Sequence, residues 1–373
     1  MKKIKQKSGW KMAILMPAAY KAYKKILKRK RSASINSDWW AVGFSFAFFI
    51  VCITKFIQGS YQFSPMQQYH FQDECVRMWD YADRMIIRLF LNILKPTFKY
   101  IISKNCFHLQ GPNGVKSAIR TIQNALNAER FHYALRLDIK SYYASIDHKI
   151  LLDQLRQYFH DPRTLKYLED IVTIAIDDGG NVFLPEKGLP RRSSLSSFFG
   201  ALYLSPLDAA FEKRKGMIYA RFMDDIVILC QTKRQYQKAR KILFNILRKL
   251  KLVLSPHKTW MGAIKKGFHF LGVNFPAANP ESKNQACTTI AIHPRSCARA
   301  LDKVSALSSD AVYPAQIQRY LLRWAAWWAN IQPLTLSYLL STWCDHSRGR
   351  FPALTWFGTG LLSLFFPHGM LVR

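Results

Sequence analysis

The chain has 373 residues, of which 49% are hydrophobic and 14% aromatic, so it can bury a sizeable core and is not a disordered protein. Its 55 Lys and Arg residues outnumber 23 Asp and Glu residues, and the formal net charge of +32 favours a polyanionic partner, nucleic acid or an anionic membrane. The seven cysteines are odd in number and form no CxxC pair, which excludes a disulfide scaffold and a zinc ribbon.

The N-terminal region combines a basic arm with an apolar run. Residues 1–35 carry many Lys and Arg side chains and no acid, which suits either phosphate contacts or a solvated tail. The run at 39–57 has Lys55 as its single charge, and its length is near the roughly 20 residues of a membrane span. A buried helix has the same composition, and we expect that helix rather than a span. Because no small-residue cleavage site follows a short apolar core, we expect a cytoplasmic protein.

Apolar spacing in the next part of the chain predicts helices followed by a strand. A helical pattern occupies 76–103 and is regular up to Pro96. Residues 107–126 predict an extended piece, a Gly/Pro/Asn turn and a helix. The period then changes, so that 132–147 predicts a strand leading into a turn and 148–176 a helical region.

The following segments alternate between hairpins and helices. A loop with a short hairpin is predicted at 177–190 and a helix at 194–213. The segment "YARFMDDIVILC", 219–230, predicts a hairpin with two adjacent aspartates at its tip. An amphipathic helix is predicted at 232–252. One face carries Lys and Arg with no acid, and the other is apolar and is formed by Tyr236, Ala239, Leu243, Ile246, Leu247 and Leu250. A strand with a Gly turn is predicted at 265–275, and 294–373 is mostly helical. No internal repeat is present.

Three aspartates lie where strand-forming runs end. Asp138 ends one run, and Asp224 and Asp225 lie at the hairpin tip. Carboxylates at the ends of neighbouring strands can converge on hard cations such as Mg²⁺. Two such ions about 4 Å apart can activate an attacking hydroxyl and stabilise a leaving pyrophosphate. The alternative is that each aspartate is an ordinary turn or cap residue.

The order of the surrounding segments resembles the reverse transcriptases, polymerases with a right-hand fold. The resemblance runs through 107–275, and its five motifs are "LRLDIKSYYASI", "GLPRRSSLSSFFGALYLSPLD", "RFMDDIVIL", "LSPHKTWMG" and "GFHFLG". Upstream, "FHLQGPNGVKSAI" and "WDYADRMIIRLFLNIL" resemble fingers segments of bacterial, non-viral members, which include retron, group-II-like and defence-associated enzymes.

This resemblance implies an α+β fold with fingers, a palm built on an antiparallel sheet and a helical thumb. The expected domains are a basic arm with an apolar helix at 1–60, fingers at 61–131, a palm at 132–275 with part of the fingers within 150–190, and a helical thumb with a C-terminal tail at 276–373.

The resemblance also assigns the metal chemistry. Asp138 and Asp224 are the implied ligands of two Mg²⁺ ions, with Mn²⁺ as the alternative ion, and the backbone carbonyl of Ile139 joins them. Asp225 is the third carboxylate, which tunes the site. Together with Lys258, the implied general acid for pyrophosphate, these aspartates form the expected catalytic set. Lys258 has a second interpretation as one more solvated lysine.

Contacts to nucleotide and primer are implied in the same way. Tyr143 corresponds to the side chain that packs under the incoming sugar and excludes a 2′-hydroxyl, with a core aromatic as the alternative for it and for Tyr142. The other implied nucleotide-binding residues are Lys116, Arg120, Arg136, Pro190, Arg191, Arg192 and Ser193. The implied primer-binding residues are Phe222, Met223, Phe270, Leu271 and Gly272.

One motif departs from the family pattern. Many reverse transcriptases have Gln-Gly where this chain has Arg191 and Arg192, and an Arg at the Gly position adds bulk and charge near the template. Some defence-associated members share a Pro-Arg pair there. We therefore expect an RNA-directed DNA polymerase, retron-like or defence-associated, acting in anti-phage defence. The alternatives are an untemplated or protein-primed DNA polymerase of the same fold and a non-catalytic RNA scaffold.

The expected partners follow from that activity. They are a dedicated non-coding RNA as template, a DNA primer and product, and dNTPs. A partner protein or a second copy of the chain is a further expectation, and a membrane is not expected.

Overall fold

The computed structural model describes residues 10, 16–21, 23–24, 28, 46–71, 74–111, 113–190, 193–275, 290–309 and 314–329. The chain divides into two compact units, and each is described by itself. The first comprises Met1–Gly114 and Tyr133–Met261, and the second comprises Val115–His132 and Gly262–Arg373. These boundaries differ from those expected for fingers, palm and thumb, which remain predictions.

Both helices and strands occur in the described chain. The helices are α1 (Phe46–Gln58), α2 (Tyr81–Ile101), α3 (Gly114–Asn127), α4 (Tyr142–Ser145), α5 (His148–Arg156), α6 (Pro162–Val172), α7 (Ser196–Tyr203), α8 (Ser205–Phe211), α9 (Lys233–Lys249), α10 (Pro294–Ser309) and α11 (Pro314–Ala329). The strands are β1 (Met66–Phe71), β2 (Glu74–Met78), β3 (Tyr133–Leu137), β4 (Ile176–Asp178), β5 (Asn181–Phe183), β6 (Met217–Phe222), β7 (Asp225–Cys230), β8 (Trp260–Ala263), β9 (Phe268–Phe270), β10 (Val273–Phe275) and β11 (Ala291–Ile292).

The central sheet has the strand order β6–β7–β3–β8, and the boundary between the units falls within β8. Strands β6 and β7 form the hairpin expected at 219–230, with Phe222 opposite Asp225. Strand β3 pairs antiparallel with β7, and Leu137 lies opposite Ile226. All four residues of the run Ile226–Leu229 are fully buried. A strand with one solvent-exposed face would alternate apolar and polar residues, so this continuous apolar run indicates that both faces of the strand are covered. The sheet therefore brings the end of β3 and the start of β7 to one edge.

A second sheet of the first unit has the order β2–β1–β4–β5. Strands β4 and β5 form the short hairpin expected within 177–190. Its turn consists of Gly179 and Gly180, both with positive φ (62° and 98°), a backbone conformation that glycine adopts without steric cost.

Helix α1 carries the apolar run that raised the membrane alternative. Phe49, Cys52, Ile53 and Phe56 on this helix are buried. The Phe56 ring lies 4.6 Å from that of Tyr167, centroid to centroid. No helix in the described part of the chain is long and apolar enough to cross a membrane. The described part of 39–57 is therefore a helix of the protein core.

Several local expectations differ from the structure. The helical spacing expected up to Pro96 continues beyond it, because α2 runs through this proline to Ile101 with Leu94 and Phe98 fully buried on either side. Burial of the flanking turns outweighs the lost backbone hydrogen bond. The piece expected to be extended at 107 is instead a 3₁₀ turn, Phe107–Leu109.

The helical region expected at 148–176 is broken into α5 and α6. The Asp161 side chain accepts a hydrogen bond from the Thr164 backbone N–H at 2.8 Å, and Pro162 follows as the first helical residue. This is the usual chemistry of a helix start, so the chain stops one helix and begins another.

Helix α9 confirms the amphipathic pattern. Thr232 and Gln235 form a reciprocal capping box at its start. Ala239, Leu243 and Leu247 are buried, and the helix packs on β3 and β7. Its apolar side thus covers one face of the central sheet.

The second unit contains α3 from Val115 onwards, a three-stranded sheet with the order β11–β10–β9, and helices α10 and α11. The strand with a Gly turn expected at 265–275 is the β9–β10 hairpin, which turns at Leu271 and Gly272. The basic arm at 1–35 and the tail after 329 lie largely or wholly outside the described residues.

Candidate active site

Two of the three aspartates line one open cleft. Antiparallel pairing places Leu137 opposite Ile226, so Asp138 at the end of β3 lies beside the start of β7 and the preceding turn with Asp224. The cleft has a volume of about 660 Å³ and is lined by Asp138, Ile139, Lys140, Ser141, Tyr142, Tyr143, Ser193, Ser196, Ser197, Met223, Asp224, Ser255 and Lys258. The structure therefore brings four of the expected motifs to one place.

The chain leaving β3 is fixed by the segment before Lys258. The Lys140 N–H donates to the Val253 carbonyl at 2.9 Å, and the Ser255 N–H donates to the Asp138 carbonyl at 2.8 Å. Ser141 then adopts a left-handed backbone conformation with φ 48°, which turns the chain into α4. The carbonyl of Ile139 accepts no hydrogen bond from the residues that the structure describes, so its oxygen is available as a ligand.

The turn between β6 and β7 carries a second left-handed residue. Met223 has φ 57°, a strained conformation for a residue of this size, so its neighbours must hold it. His108 does so, because its Nδ1 accepts the Met223 N–H at 3.1 Å and its Nε2 donates to the Ser197 carbonyl at 3.2 Å. Burial lowers the pKa of His108 to about 4, and the charge of Arg221 adds to this effect, so the imidazole is neutral near pH 7.

A buried ion pair lies next to this turn. The Arg221 guanidinium and the Asp208 carboxylate pair through two nitrogens and two oxygens with almost no exposure. Arg221 also donates to the carbonyls of Ala201 at 3.1 Å and Met223 at 3.3 Å. Burial alone lowers the pKa of Arg221, but the Asp208 carboxylate holds it above its ordinary value. The pair thus ties the aspartate turn to α7 and α8.

Sequence reasoning missed these supporting residues. His108 lies within the expected fingers segment "FHLQGPNGVKSAI" and Arg221 is the first residue of the aspartate motif "RFMDDIVIL", so their position within these motifs was the available signal. Their partners are 115 and 13 residues away in the chain, and neither pairing is visible as a pattern.

Asp225 interacts electrostatically with the other two aspartates but does not line the cleft. Burial, together with the negative charges of Asp224 and Asp138, raises the pKa of the Asp225 carboxyl to about 6, while the positive charges of Arg136 and Lys258 oppose this shift. A half-buried carboxyl beside two others is suited to tuning their charge.

Lys258 lies at the mouth of the cleft. Its Nζ is 3.7 Å from the Asp138 Oδ2, and 60% of its side chain is exposed. The buried Arg136 donates a hydrogen bond to the Lys258 carbonyl, and this contact fixes the backbone at Lys258. The expected contact of Arg136 with a triphosphate stays a prediction.

The two tyrosines of the first motif have different surroundings. Tyr142 is buried and its hydroxyl donates to the Gly200 carbonyl, which marks it as a core residue. Tyr143 is half-buried, lines the cleft and forms a side-chain hydrogen bond with Ser197. Burial and the charge of Asp224 raise the pKa of Tyr143, so its hydroxyl stays protonated. A Cβ on Gly200 would come within 3.3 Å of both rings.

The second motif closes over α4. The Gly188 N–H donates to the Ile146 carbonyl at 2.7 Å, and the Leu189 N–H donates to the Tyr143 carbonyl at 2.8 Å. Gly188 has φ 99°, which requires glycine. Pro190 is buried and Ser193 lines the cleft, whereas the expected nucleotide-binding residues Arg191 and Arg192 lie outside the described residues.

Most of the remaining expected site residues do not line the cleft. Phe222 is half-buried on β6, and Met223 alone of the primer-binding set lines the cleft. The second unit contains Lys116, Arg120, Phe270, Leu271 and Gly272. Their roles stay predictions.

The donor chemistry of the cleft fits a hard divalent cation. Asp138 and Asp224 supply carboxylate oxygens and Ile139 a carbonyl oxygen, the ligands that Mg²⁺ prefers. No group of three or more His, Cys, Asp or Glu side chains that could hold a metal occurs among the described residues. Any cation in the cleft would therefore depend on two carboxylates and backbone or substrate oxygens.

Comparisons with known proteins show the family to which the chain belongs. The family described as "Reverse transcriptase (RNA-dependent DNA polymerase)" matches residues 73–275, more than half of the chain. Protein YkfC of Escherichia coli (strain K12) is 22% identical over 227 residues, which cover 51% of this chain and 60% of YkfC.

Solved structures resemble the chain at low identity. Apo telomerase from Candida tropicalis has a TM-score of 0.49 at 12% identity and covers 69% of this chain and 55% of its own. Telomerase from Candida albicans in complex with a TWJ fragment of telomeric RNA has a TM-score of 0.46 at 12% identity, covering 66% and 49%. A partial Cas6-RT-Cas1–Cas2 complex has a TM-score of 0.39 at 20% identity, covering 64% and 41%. The chain thus spans about half of these proteins.

Proposed function

The chain belongs to the reverse transcriptase family and has its α+β right-hand polymerase fold, and from this premise we propose that it is an RNA-directed DNA polymerase. The observation that carries the proposal is the cleft at the edge of the central sheet, where Asp138 and Asp224 lie with Tyr143 and Lys258. These four residues come from three separate motifs, and the fold unites them in one open site.

Asp138, Asp224 and the Ile139 carbonyl hold Mg²⁺ in this proposal, since family members generally use divalent metals. When bound, such ions would supply the positive charge that activates a primer 3′-hydroxyl and stabilises the leaving pyrophosphate. Asp225 supports the two ligating carboxylates electrostatically, and His108 and Arg221 fix the backbone of the turn that carries Asp224.

Two further side chains act on the nucleotide. Lys258 donates a proton to the leaving pyrophosphate from its exposed position 3.7 Å from Asp138. Tyr143 presents a ring to the sugar and so selects deoxynucleotides, while Ser197 fixes its hydroxyl.

A primer-extension assay with matched variants tests the proposal. Purified protein with Mg²⁺ and dNTPs should extend a DNA primer on an RNA template, and Asp224→Asn should not. The control is Asp153→Asn, an exposed aspartate on α5 that pairs with Arg156. Equal extension by wild type and Asp224→Asn, or none by wild type on any template including its own bound RNA, would overturn it.

The finer proposal concerns the template and the biological role. The template is a dedicated non-coding RNA and the role anti-phage defence in the cytoplasm; the Pro190–Arg191 pair shared with defence-associated relatives supports this. Sequencing RNA and DNA recovered with the protein tests the template. A phage challenge of cells with wild type or Asp224→Asn tests the role. DNA without any matching RNA would favour untemplated synthesis instead.

The domain assignment belongs to the same proposal. Residues 61–131 form the fingers, 132–275 the palm with part of the fingers within 150–190, and 276–373 the thumb. The β6–β7–β3–β8 sheet supports the palm assignment.

A further inference from the structure

The outer side of α9 is a continuous basic surface away from the cleft. Its inner side buries Ala239, Leu243 and Leu247 against the central sheet. Seven of its side chains are Lys or Arg, all of them exposed, and none is acidic. No residue of α9 lines the cleft. The charge therefore serves something other than the reacting triphosphate.

The basic side chains form a line along the helix. Arg234, Lys238, Lys241 and Arg248 are separated by four, three and seven residues, so they share one helical face over about 21 Å. Within the described ranges no carboxylate forms an ion pair with any of them. A row of unpaired cations at regular spacing is complementary to a row of phosphates.

A second chain segment extends the line at the start of α9. Lys213 and Lys215 are exposed in the loop after α8. This loop is joined to α9 because the Gln231 N–H donates to the Gly216 carbonyl at 3.2 Å. Glu212 is adjacent in sequence, but it forms no ion pair with either lysine in the described structure. Two stretches of sequence thus converge on one basic surface.

One aromatic residue lies within the charged face. Phe244 is 46% exposed, although an apolar side chain on a core helix is usually buried. An exposed ring between cations is the arrangement on which unpaired bases stack.

We infer that this outer α9 surface, comprising Lys213, Lys215, Arg234, Lys238, Lys241, Phe244 and Arg248, is a second nucleic-acid site that binds RNA through its phosphates. The inference rests on the proposed function, which supplies RNA as the polyanion. An anionic membrane fits less well, because a membrane-surface helix turns its apolar face to the lipid, and the apolar face of α9 is buried in the protein. The surface would hold part of the bound RNA while another part enters the cleft.

Salt-dependent binding of a labelled RNA hairpin tests the inference in an Asp224→Asn background, where no synthesis interferes. Changing Lys238, Lys241 and Arg248 together to Gln keeps helix propensity and should lower the slope of log K against log salt by about 2 to 3. The matched control changes Lys95, Lys99 and Lys149, three exposed lysines of α2 and α5, to Gln and should leave the slope almost unchanged. A Lys238→Arg, Lys241→Arg variant should bind like wild type.

The other outcomes overturn the inference. An equal loss in both triple variants means that binding follows net charge alone, and no loss in either means that α9 does not bind RNA. Release of the α9 variant from phosphatidylserine vesicles with unchanged RNA binding assigns the surface to a membrane. A failure of the proposed polymerase activity would be a separate result. It would appear as absent primer extension by the wild-type protein, and it would not affect the measurement of RNA binding.

Discussion

His108 and Met223 are joined by a hydrogen bond of 3.1 Å from the Met223 backbone N–H to the imidazole Nδ1, across 115 residues of sequence. Met223 directly precedes Asp224 and has a left-handed backbone. The same imidazole donates to the Ser197 carbonyl, so one neutral side chain connects the aspartate turn with the cleft wall. The position of Asp224 therefore depends on a residue outside the carboxylate motif.

Replacing His108 with Ala should reduce polymerisation by at least about tenfold and destabilise the fold by about 1 to 3 kcal/mol, because the Met223 N–H loses its acceptor. The effect should appear in kcat more than in KM for dNTP. His108→Asn keeps an acceptor near the Nδ1 position and should restore part of the activity. Steady-state primer extension and chemical denaturation measure both quantities.

The same residue makes a pH-dependent contribution to stability. Its folded pKa of about 4 lies below the unfolded value, so its contribution is present above about pH 6.5 and is lost as pH falls towards 4. Wild type should lose about 3 kcal/mol more than His108→Asn over that window. Parallel denaturation curves at each pH measure the difference, and identical pH dependence in the two proteins would contradict the buried neutral imidazole.

Arg221→Ala should be among the most damaging single changes outside the carboxylates. It leaves the Asp208 charge buried without a partner, which costs about 3 to 5 kcal/mol. Arg156 provides the control, because its pairs with Asp153 and Glu169 are exposed and Arg156→Ala should cost about 1 kcal/mol or less. Urea denaturation of both variants checks the contrast, and similar losses would rule out the special role of the buried pair.

Most of the secondary structure and the carboxylate site could be predicted from the spacing of apolar residues and the order of the motifs. The hairpin was predicted at 219–230 because two strand-forming runs and the turn between them are contiguous in the sequence, and the structure places it at 217–230. The position of the carboxylates followed from the ends of the strand-forming runs. The continuation of α2 through Pro96 was not, because tertiary burial overrode a local helix breaker. The His108–Met223 and Arg221–Asp208 contacts were missed since each joins side chains whose pairing is set by the folded backbone.

Asp225→Asn should stabilise the metal-free protein while reducing polymerisation. The raised pKa of about 6 means that the Asp225 contribution to stability is present below the unfolded value of about 3.9 and is lost as pH rises through 6. At pH 8, with divalent metals removed by a chelator, Asp225→Asn should therefore raise the free energy of unfolding by about 1 to 3 kcal/mol. Asp153→Asn should change it by less than about 0.5 kcal/mol. A lower stability of Asp225→Asn at pH 8 would contradict the repulsion among the three carboxylates.

Substitutions of Tyr143 and Tyr142 should have different effects, the first on sugar selection and the second on the stability of the core. Tyr143→Ala opens the cleft wall beside Ser197, so discrimination between dNTP and rNTP should fall by at least about tenfold. Tyr142→Phe removes a buried hydrogen bond to the Gly200 carbonyl and should cost about 1 kcal/mol of stability without changing sugar selection. Competitive incorporation of the two nucleotides decides the matter, and a loss of discrimination in Tyr142→Phe alone would reverse the assignment.

Lys258 has two physical roles that substitutions can distinguish. As a general acid it must release a proton near neutral pH, whereas as an ion partner it needs only its charge 3.7 Å from Asp138. Arginine keeps the charge but holds its proton. If Lys258 is the general acid, Lys258→Arg and Lys258→Gln should both lower the single-turnover rate by a factor of about 10² to 10⁴. Both variants should also lose the same limb in the pH profile of that rate. Restoration by Arg alone would assign Lys258 to charge compensation of Asp138, and the protonation of pyrophosphate would then fall to solvent.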